Sequence, residues 1–436
     1  MSATTTIDAG RPSEAASPTL ISDRKLYKLV IASSIGNALE WFDLIVYAFF
    51  AATISKLFFP SENETVSLMM TLGAFALSYL IRPLGALVLG SYADRKGRKA
   101  AMLVSLWLMM AGTAMIAVMP TWKTAGLLAP LGIFAARLLQ GFSAGGEFGS
   151  ATALLVERAP DKKGLISSFM FASQGVSGLL GSGFGLLLTT TLTTQQLEDW
   201  GWRIPFLFGL LIGPIGLYIR KHIEESAEFN HHATPESTPI AELFRHHKGS
   251  ILLAIGALML STSVSYTIIY MPTYAVKQLG LQASTGFAGT LLSGLILTLL
   301  TPFVGHFSDR LGRTRIMIWA ASIFVITILP VFYFLGLYPA LGTLFVMLTW
   351  LSLLKALYFG GLPALMSDLF ETRVRASGLA LSYNIGTTLF GSAGPLLITW
   401  MLSATGSGLA PAYYLGFTSV VSLVTLFLIR KHRKIG

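Results

Sequence analysis

The 436-residue sequence contains no cysteine and little charge, with Asp, Glu, Lys and Arg making up only 12% of it. That is about half the charged share of an ordinary soluble domain. Without cysteine there is no disulfide, no thiolate nucleophile and no thiolate-ligated metal, and the redox compartment stays unread. The sequence also lacks a His-Glu-x-x-His pair, a nucleophile elbow and a glycine-rich nucleotide loop, so neither an enzyme nor a metal or cofactor is expected. His231-His232 and His246-His247 stand in a polar segment without carboxylates at a metal-ligating spacing. No small-residue cleavage site follows a short apolar stretch near the start, so no cleaved signal peptide is expected. Hydrophobic residues reach 53% and mean hydropathy is +0.66, more apolar surface than a soluble core can use. The chain therefore reads as a polytopic, all-α membrane protein, and a nucleic-acid partner is not expected.

A helix needs about 20 apolar residues to cross the hydrocarbon core. Runs bounded by charge or turn residues predict twelve spans, at 28–54, 65–92, 99–119, 124–156, 164–190, 202–220, 249–276, 284–308, 313–337, 341–369, 375–402 and 409–430. They divide into two six-helix bundles, 28–220 and 249–430, flanked by a disordered N-terminal tail (1–27), a linker (221–248) and a short tail (431–436). On this map 24 of the 31 cations fall on one side of the membrane, and only Lys56, Lys123, Arg203 and Lys277 on the other. Lysine and arginine are retained on the cytoplasmic side, so both termini are expected there, in a cell inner membrane. The same bias accounts for the net charge of +10.

The halves repeat one another. Gly90, Asp94, Arg95, Gly97 and Arg98 recur as Gly305, Asp309, Arg310, Gly312 and Arg313, all at an offset of 215. Glu157 and Glu371 end the fourth and tenth spans at an offset of 214. Duplicated halves explain a loop motif and its partner acid recurring together.

Six charges lie inside the spans: Arg82, Arg137, Lys355, Glu40, Asp43 and Glu147. A centred charge costs about 2.5–3.5 kcal/mol even on the lenient insertion scale, so six of them imply a shared polar cavity. Asn37, Glu40, Asp43 and Tyr47 form one helical stripe, and Arg137, Gln140, Ala144 and Glu147 another. Tyr266, Tyr270 and Tyr274 recur every four residues on the seventh span, a column that serves packing or carboxylate binding. Arg137 could equally be a strut bonding neighbouring carbonyls, and Asp43 could sit near the outer end in water. Lys355 is too deep to snorkel. The candidate substrate-binding set is Arg82, Lys355, Arg137, Asn37, Tyr266, Tyr270, Gln174 and Tyr358, and the candidate proton-coupling acids are Asp43, Glu147 and Glu40.

The G-x-x-x-D-R-x-G-R loop resembles that of the Major Facilitator Superfamily. Gly36-Asn-Ala-Leu-Glu40-Trp-Phe-Asp43, Arg82-Pro83-Leu-Gly85, Arg137-Leu-Leu-Gln140-Gly141, Gly145-Gly146-Glu147 and Trp200-Gly-Trp-Arg203-Ile-Pro205-Phe extend the resemblance to its metabolite:proton symporters. The resemblance implies a fold of two pseudo-symmetric six-helix bundles and proton-coupled alternating access. It further implies gating latches built from Asp94, Arg98 and Glu157, and from Asp309, Arg313 and Glu371. The six intramembrane charges sum to zero, so an entering polycarboxylate leaves an excess negative charge that one proton cancels. The expectation is an importer of a small organic anion, a di- or tricarboxylate such as citrate or tricarballylate, working as a monomer in the lipid bilayer. Carriers of a zwitterion or monoacid (proline, betaine, shikimate) are the alternative. An efflux antiporter is less favoured, because the fifth span lacks the Gly-Pro pair of drug–proton antiporters.

Overall fold

The computed structural model describes residues 23–96, 98–145, 147–222, 243 and 245–433, and among them the chain is helical, with no strand. Residues 1–22, most of the expected linker (223–242 and 244) and 434–436 lie outside the described residues, as do the side chains of Asp94, Arg98 and Glu147.

The first half supplies α1 (Asp23–Phe49), α2 (Ala51–Phe58), α3 (Glu64–Leu80), α4 (Arg82–Lys96), α5 (Arg98–Val118), α6 (Trp122–Ala125), α7 (Leu128–Ser143), α8 (Glu147–Arg158), α9 (Lys163–Thr191), α10 (Thr194–Asp199) and α11 (Ile204–His222). The second half supplies α12 (Lys248–Lys277), α13 (Ala283–Leu311), α14 (Arg313–Leu337), α15 (Leu341–Phe359), α16 (Leu362–Asp368), α17 (Arg375–Gly386), α18 (Ala393–Thr405) and α19 (Ala410–Arg433). A π-helical stretch, Thr387–Ser392, joins α17 to α18.

Ten segments among the described residues are long and apolar enough to cross a membrane, against the twelve spans expected. The expected fourth span is interrupted, with α7 ending at Ser143 and α8 starting at Glu147, and the expected sixth coincides with α11, Ile204–His222, which is not among the ten. The outer surface suits lipid. Trp107, Leu211, Trp319, Ile326 and Val346 are each more than half exposed, an arrangement that water would penalise and acyl chains do not.

In lipid, helices associate through close packing, and small residues permit it. A Cβ on Gly141 of α7 would lie 1.8 Å from the Ser78 carbonyl oxygen of α3, so only glycine lets these backbones touch. This contact brings the α3–α4 junction, and Arg82 with it, against α7. At the seam between the sequence halves α9 crosses α13 in the same way: a Cβ on Gly294 would meet the Leu179 amide nitrogen at 2.7 Å. The sharp turn from α13 into α14 runs through Gly312 at φ +92°, a conformation that side chains resist. It lies at the end of the bundle that carries the Asp-Arg-x-Gly-Arg loops, the basic end.

Candidate functional site

The polar interior begins on α1. Asn37 donates to the Met170 carbonyl (2.9 Å) and to Ser173 Oγ (2.7 Å), so both amide protons tie α1 to α9. Three helical turns of polar residues continue to Tyr47, whose hydroxyl donates to the Thr71 carbonyl at 3.3 Å.

Arg137 is fully buried on α7. Its Nη1 donates to Gln140 Oε1 at 2.7 Å and to the Leu44 carbonyl at 3.4 Å, and its Nη2 donates to Ser78 Oγ at 3.0 Å. The Gln140 amide continues to Thr113 Oγ1 at 2.9 Å. Tyr47 and Phe75 present ring faces to the guanidinium at 4.7 and 5.1 Å. Asp43 lies within electrostatic reach of Arg137 and beside Thr113, with its Oδ1 buried against Gly209 and without a hydrogen-bond partner among the described residues. Of the two readings open for Arg137, this geometry is that of the strut.

Arg82 differs. It is 2% exposed, its Cζ stands 3.7 Å over the Tyr79 ring, and its Nε and Nη2 have no partner among the described residues. Tyr79, Tyr266, Glu40 and Tyr383 stand within electrostatic reach of it. Tyr266 belongs to the second half and lies edge-on to Tyr79, with ring centroids 5.7 Å apart. Gln174 of α9 donates to the Tyr383 hydroxyl at 3.1 Å, again across the seam.

Lys355 of α15 is buried, with Nζ 4.5 Å over the Phe359 ring. No acidic group among the described residues acts on its ammonium. It lines a cavity of about 40 Å³ together with Trp41, Gln174, Ser265 and Thr290, drawn from both halves. Small-molecule pockets run from about 300 Å³, so this cavity is a collapsed one.

Both ends are shut. At the basic end Asp309 accepts from the Gly164 and Leu165 amides at 2.8 and 3.0 Å, capping α9 from across the seam. A carboxylate there is also favoured by the helix dipole. Arg313 holds Asp309 at 3.1 Å and bonds Asp368, which Lys163 also reaches at 3.0 Å. The expected partner of Arg313 was Glu371; the structure pairs it with Asp368 at the end of α16, while Glu371 is exposed in the following turn. Glu157 pairs across the seam with Arg375 at 2.9 Å. The break between α7 and α8 leaves the Gly145 carbonyl to accept from Asn384 Nδ2 at 2.6 Å. The opposite end closes with rings: Phe287 packs on Phe49 and Phe50 at 6.2 and 5.7 Å, and an exposed Lys277–Glu64 pair spans the halves.

The structure thus gathers Arg82, Tyr266, Gln174 and Lys355 near the seam, with Glu40 in reach. It sends other candidates elsewhere. Tyr270 meets Thr399 Oγ1 at 2.8 Å, and Tyr358 donates to the Ala257 carbonyl at 2.7 Å, so both hydroxyls are occupied within the second half. Sequence reasoning missed Tyr79, Asp368 and Arg375. Tyr79 stands three residues before Arg82, and Asp368 three before Glu371, spacings that a search of helix faces could have used.

A helical membrane protein whose sequence halves meet at a closed seam lined by buried cations, with charged and aromatic closures at its two ends, has the build of a membrane transporter. The chain belongs to the Major Facilitator Superfamily, whose family model matches residues 33–384, and within it to the metabolite:proton symporters. It is 35% identical over 401 residues to a citrate-proton symporter of Klebsiella pneumoniae, covering 91% of this chain and 90% of that one. It is 32% identical over 423 residues to a proline/betaine transporter of Escherichia coli (strain K12), covering 93% and 84%. Among solved structures a D-xylose-proton symporter superposes with a TM-score of 0.74 over 92% of this chain and 97% of that chain. At 17% identity this last likeness is one of fold.

Proposed function

We propose that the chain is a proton-coupled secondary transporter that imports a small organic anion, a di- or tricarboxylate such as citrate or tricarballylate, by alternating access. The observation that carries this reading is Lys355: a buried basic side chain on which no acidic group among the described residues acts, facing the cavity where the two halves meet. An isolated charge is costly in a low-dielectric interior, and an anionic guest relieves that cost. Arg82, with two donors unused on the first half, offers a second anionic position. Two cations from opposite halves favour a guest with two or more carboxylates. The citrate-proton symporter among the relatives supports the same choice.

In this reading the interrupted α7–α8 and the helix α11, over 124–156 and 202–220, join the ten segments to complete a twelve-helix pair of bundles. The basic end faces the cytoplasm of the inner membrane, and the monomer is the working unit. Asp43, with one carboxylate oxygen unpartnered beside the Arg137 network, is the proton-coupling acid. Protonation there and substrate at the seam raise each other's affinity by linkage. The closures at the two ends then open alternately, each contributing a few kcal/mol to the balance between states.

The proline/betaine relative favours a second reading, a carrier of a zwitterion. Proteoliposome uptake separates the two. Citrate or tricarballylate should drive proton entry while betaine and proline do not, and Asp43→Asn should keep substrate exchange but lose the response to a pH gradient. Proton-independent flux, or proton entry with betaine alone, overturns the first reading.

A further inference from the structure

Four buried polar atoms collect at the seam: Tyr79 Oη, Tyr266 Oη, and Nε and Nη2 of Arg82. None has a hydrogen-bond partner among the described residues, and the three side chains are 0%, 0% and 2% exposed. Buried donors are ordinarily satisfied, so a group of four asks for an acceptor. A bond between the two phenol hydroxyls, which lie within reach of each other, would still leave both Arg82 nitrogens unmet. A guanidinium has no acceptor, and Arg82 lies over the face of the Tyr79 ring, away from the lone pairs of the phenol oxygen.

The arrangement of these donors is specific. Nε and Nη2 form one edge of the guanidinium, the edge that meets both oxygens of a carboxylate in a bidentate pair. A carboxylate has about four lone-pair sites, two for the fork and two more for hydroxyl donors. Tyr79 and Tyr266 provide two hydroxyls, and their rings are in edge contact. We infer that Tyr79, Tyr266 and Arg82 form a subsite for a single carboxylate group of the substrate, with Tyr79 a binding residue in its own right. This rests on the organic-anion reading above and deepens it. The remaining acidic groups of the guest point toward Lys355, which is reached past Gln174 and its partner Tyr383.

The subsite also spans the seam. Tyr79 and Arg82 belong to the first half and Tyr266 to the second, and the Tyr79 carbonyl accepts from Thr388 Oγ1 of the π-helical stretch at 3.1 Å. A carboxylate held by all three side chains therefore draws the halves together as it binds.

The test uses Tyr79→Phe, Tyr266→Phe and the double variant, which keep the rings and remove only the hydroxyls. Tyr274→Phe serves as control, because that hydroxyl is spent on the Gly408 carbonyl at 2.7 Å. Purified protein is titrated with citrate, tricarballylate, succinate and betaine, with ligand-induced thermal stabilisation as the readout. Each single variant should weaken binding of every carboxylate bound by the wild type about tenfold, and the double variant more. Tyr274→Phe should leave affinity unchanged, and citrate monoamide should lose less than citrate in the variants if its amide occupies the subsite. Unchanged affinity in Tyr79→Phe and Tyr266→Phe, with the wild type binding an acid, overturns the subsite and leaves the transport reading standing. A wild type that binds none of the four overturns both.

Discussion

Arg137 and Arg82 sit on adjacent helices and are almost equally buried, at 0% and 2% exposure, yet their surroundings are opposite. Arg137 spends its two terminal nitrogens on Gln140, Ser78 and the Leu44 carbonyl, and extends through Gln140 to Thr113. Arg82 has a ring beneath it and two nitrogens unused. Burial is common to both, so burial does not identify a ligand group. The distinction lies in the accounting of donors: Arg137 commits both terminal nitrogens to a network within one half and leaves only Nε without a partner among the described residues, while Arg82 leaves Nε and Nη2 open at the line where the halves meet.

That contrast is most directly broken by deleting each arginine in turn. Arg137→Ala strands Gln140 and Ser78 in the interior, and we expect about 3–5 kcal/mol of lost stability, read by thermal unfolding in detergent. Arg82→Ala removes a guanidinium that has two nitrogens without a partner among the described residues; stability should hold while substrate affinity falls by at least about 100-fold. If Arg82→Ala melts early and Arg137→Ala only binds poorly, the assignments are reversed.

A smaller effect sharpens the same distinction at the ends of the bundle. Asp309 is saturated, holding two backbone amides of α9 and Arg313. Asp309→Ala should cost the closed state about 1–2 kcal/mol, the usual scale for a lost helix cap. Because the chain has no cysteine, Ser168→Cys at this buried crossing gives a clean reporter, and its thiol labelling should accelerate about tenfold in the Asp309→Ala background. The exposed Lys277–Glu64 pair at the other end should matter least. With a Thr273→Cys reporter beside Phe287, Lys277→Ala is expected to change labelling by less than about twofold, since exposed pairs contribute under about 1 kcal/mol and the Phe287 packing remains.

Much of the site was legible along the chain. Charge inside an apolar run is conspicuous, and Arg82, Arg137, Lys355, Glu40 and Asp43 were all found that way. The repeat pointed to Asp309 and Arg313, and both take part in the closure of the basic end. The fine pairing was not legible. The repeat suggested Glu371, but α16 stops at Asp368 and offers that carboxylate to Arg313 and Lys163. The tyrosine column on α12 was visible as a period of four, yet Tyr270 and Tyr274 find acceptors in their own half and only Tyr266 turns an unsatisfied hydroxyl toward Arg82.

The amino-acid sequence alone determined that this chain lives in a membrane, that its halves repeat and that a few charges must share a polar interior. Those conclusions follow from transfer energies, which depend on composition and hold wherever a residue ends up. Tertiary structure decided which of those charges are satisfied. Hydrogen-bond satisfaction depends on partners that are distant along the chain, such as Tyr266, which lies 184 residues beyond Arg82, and only helix packing brings them within reach.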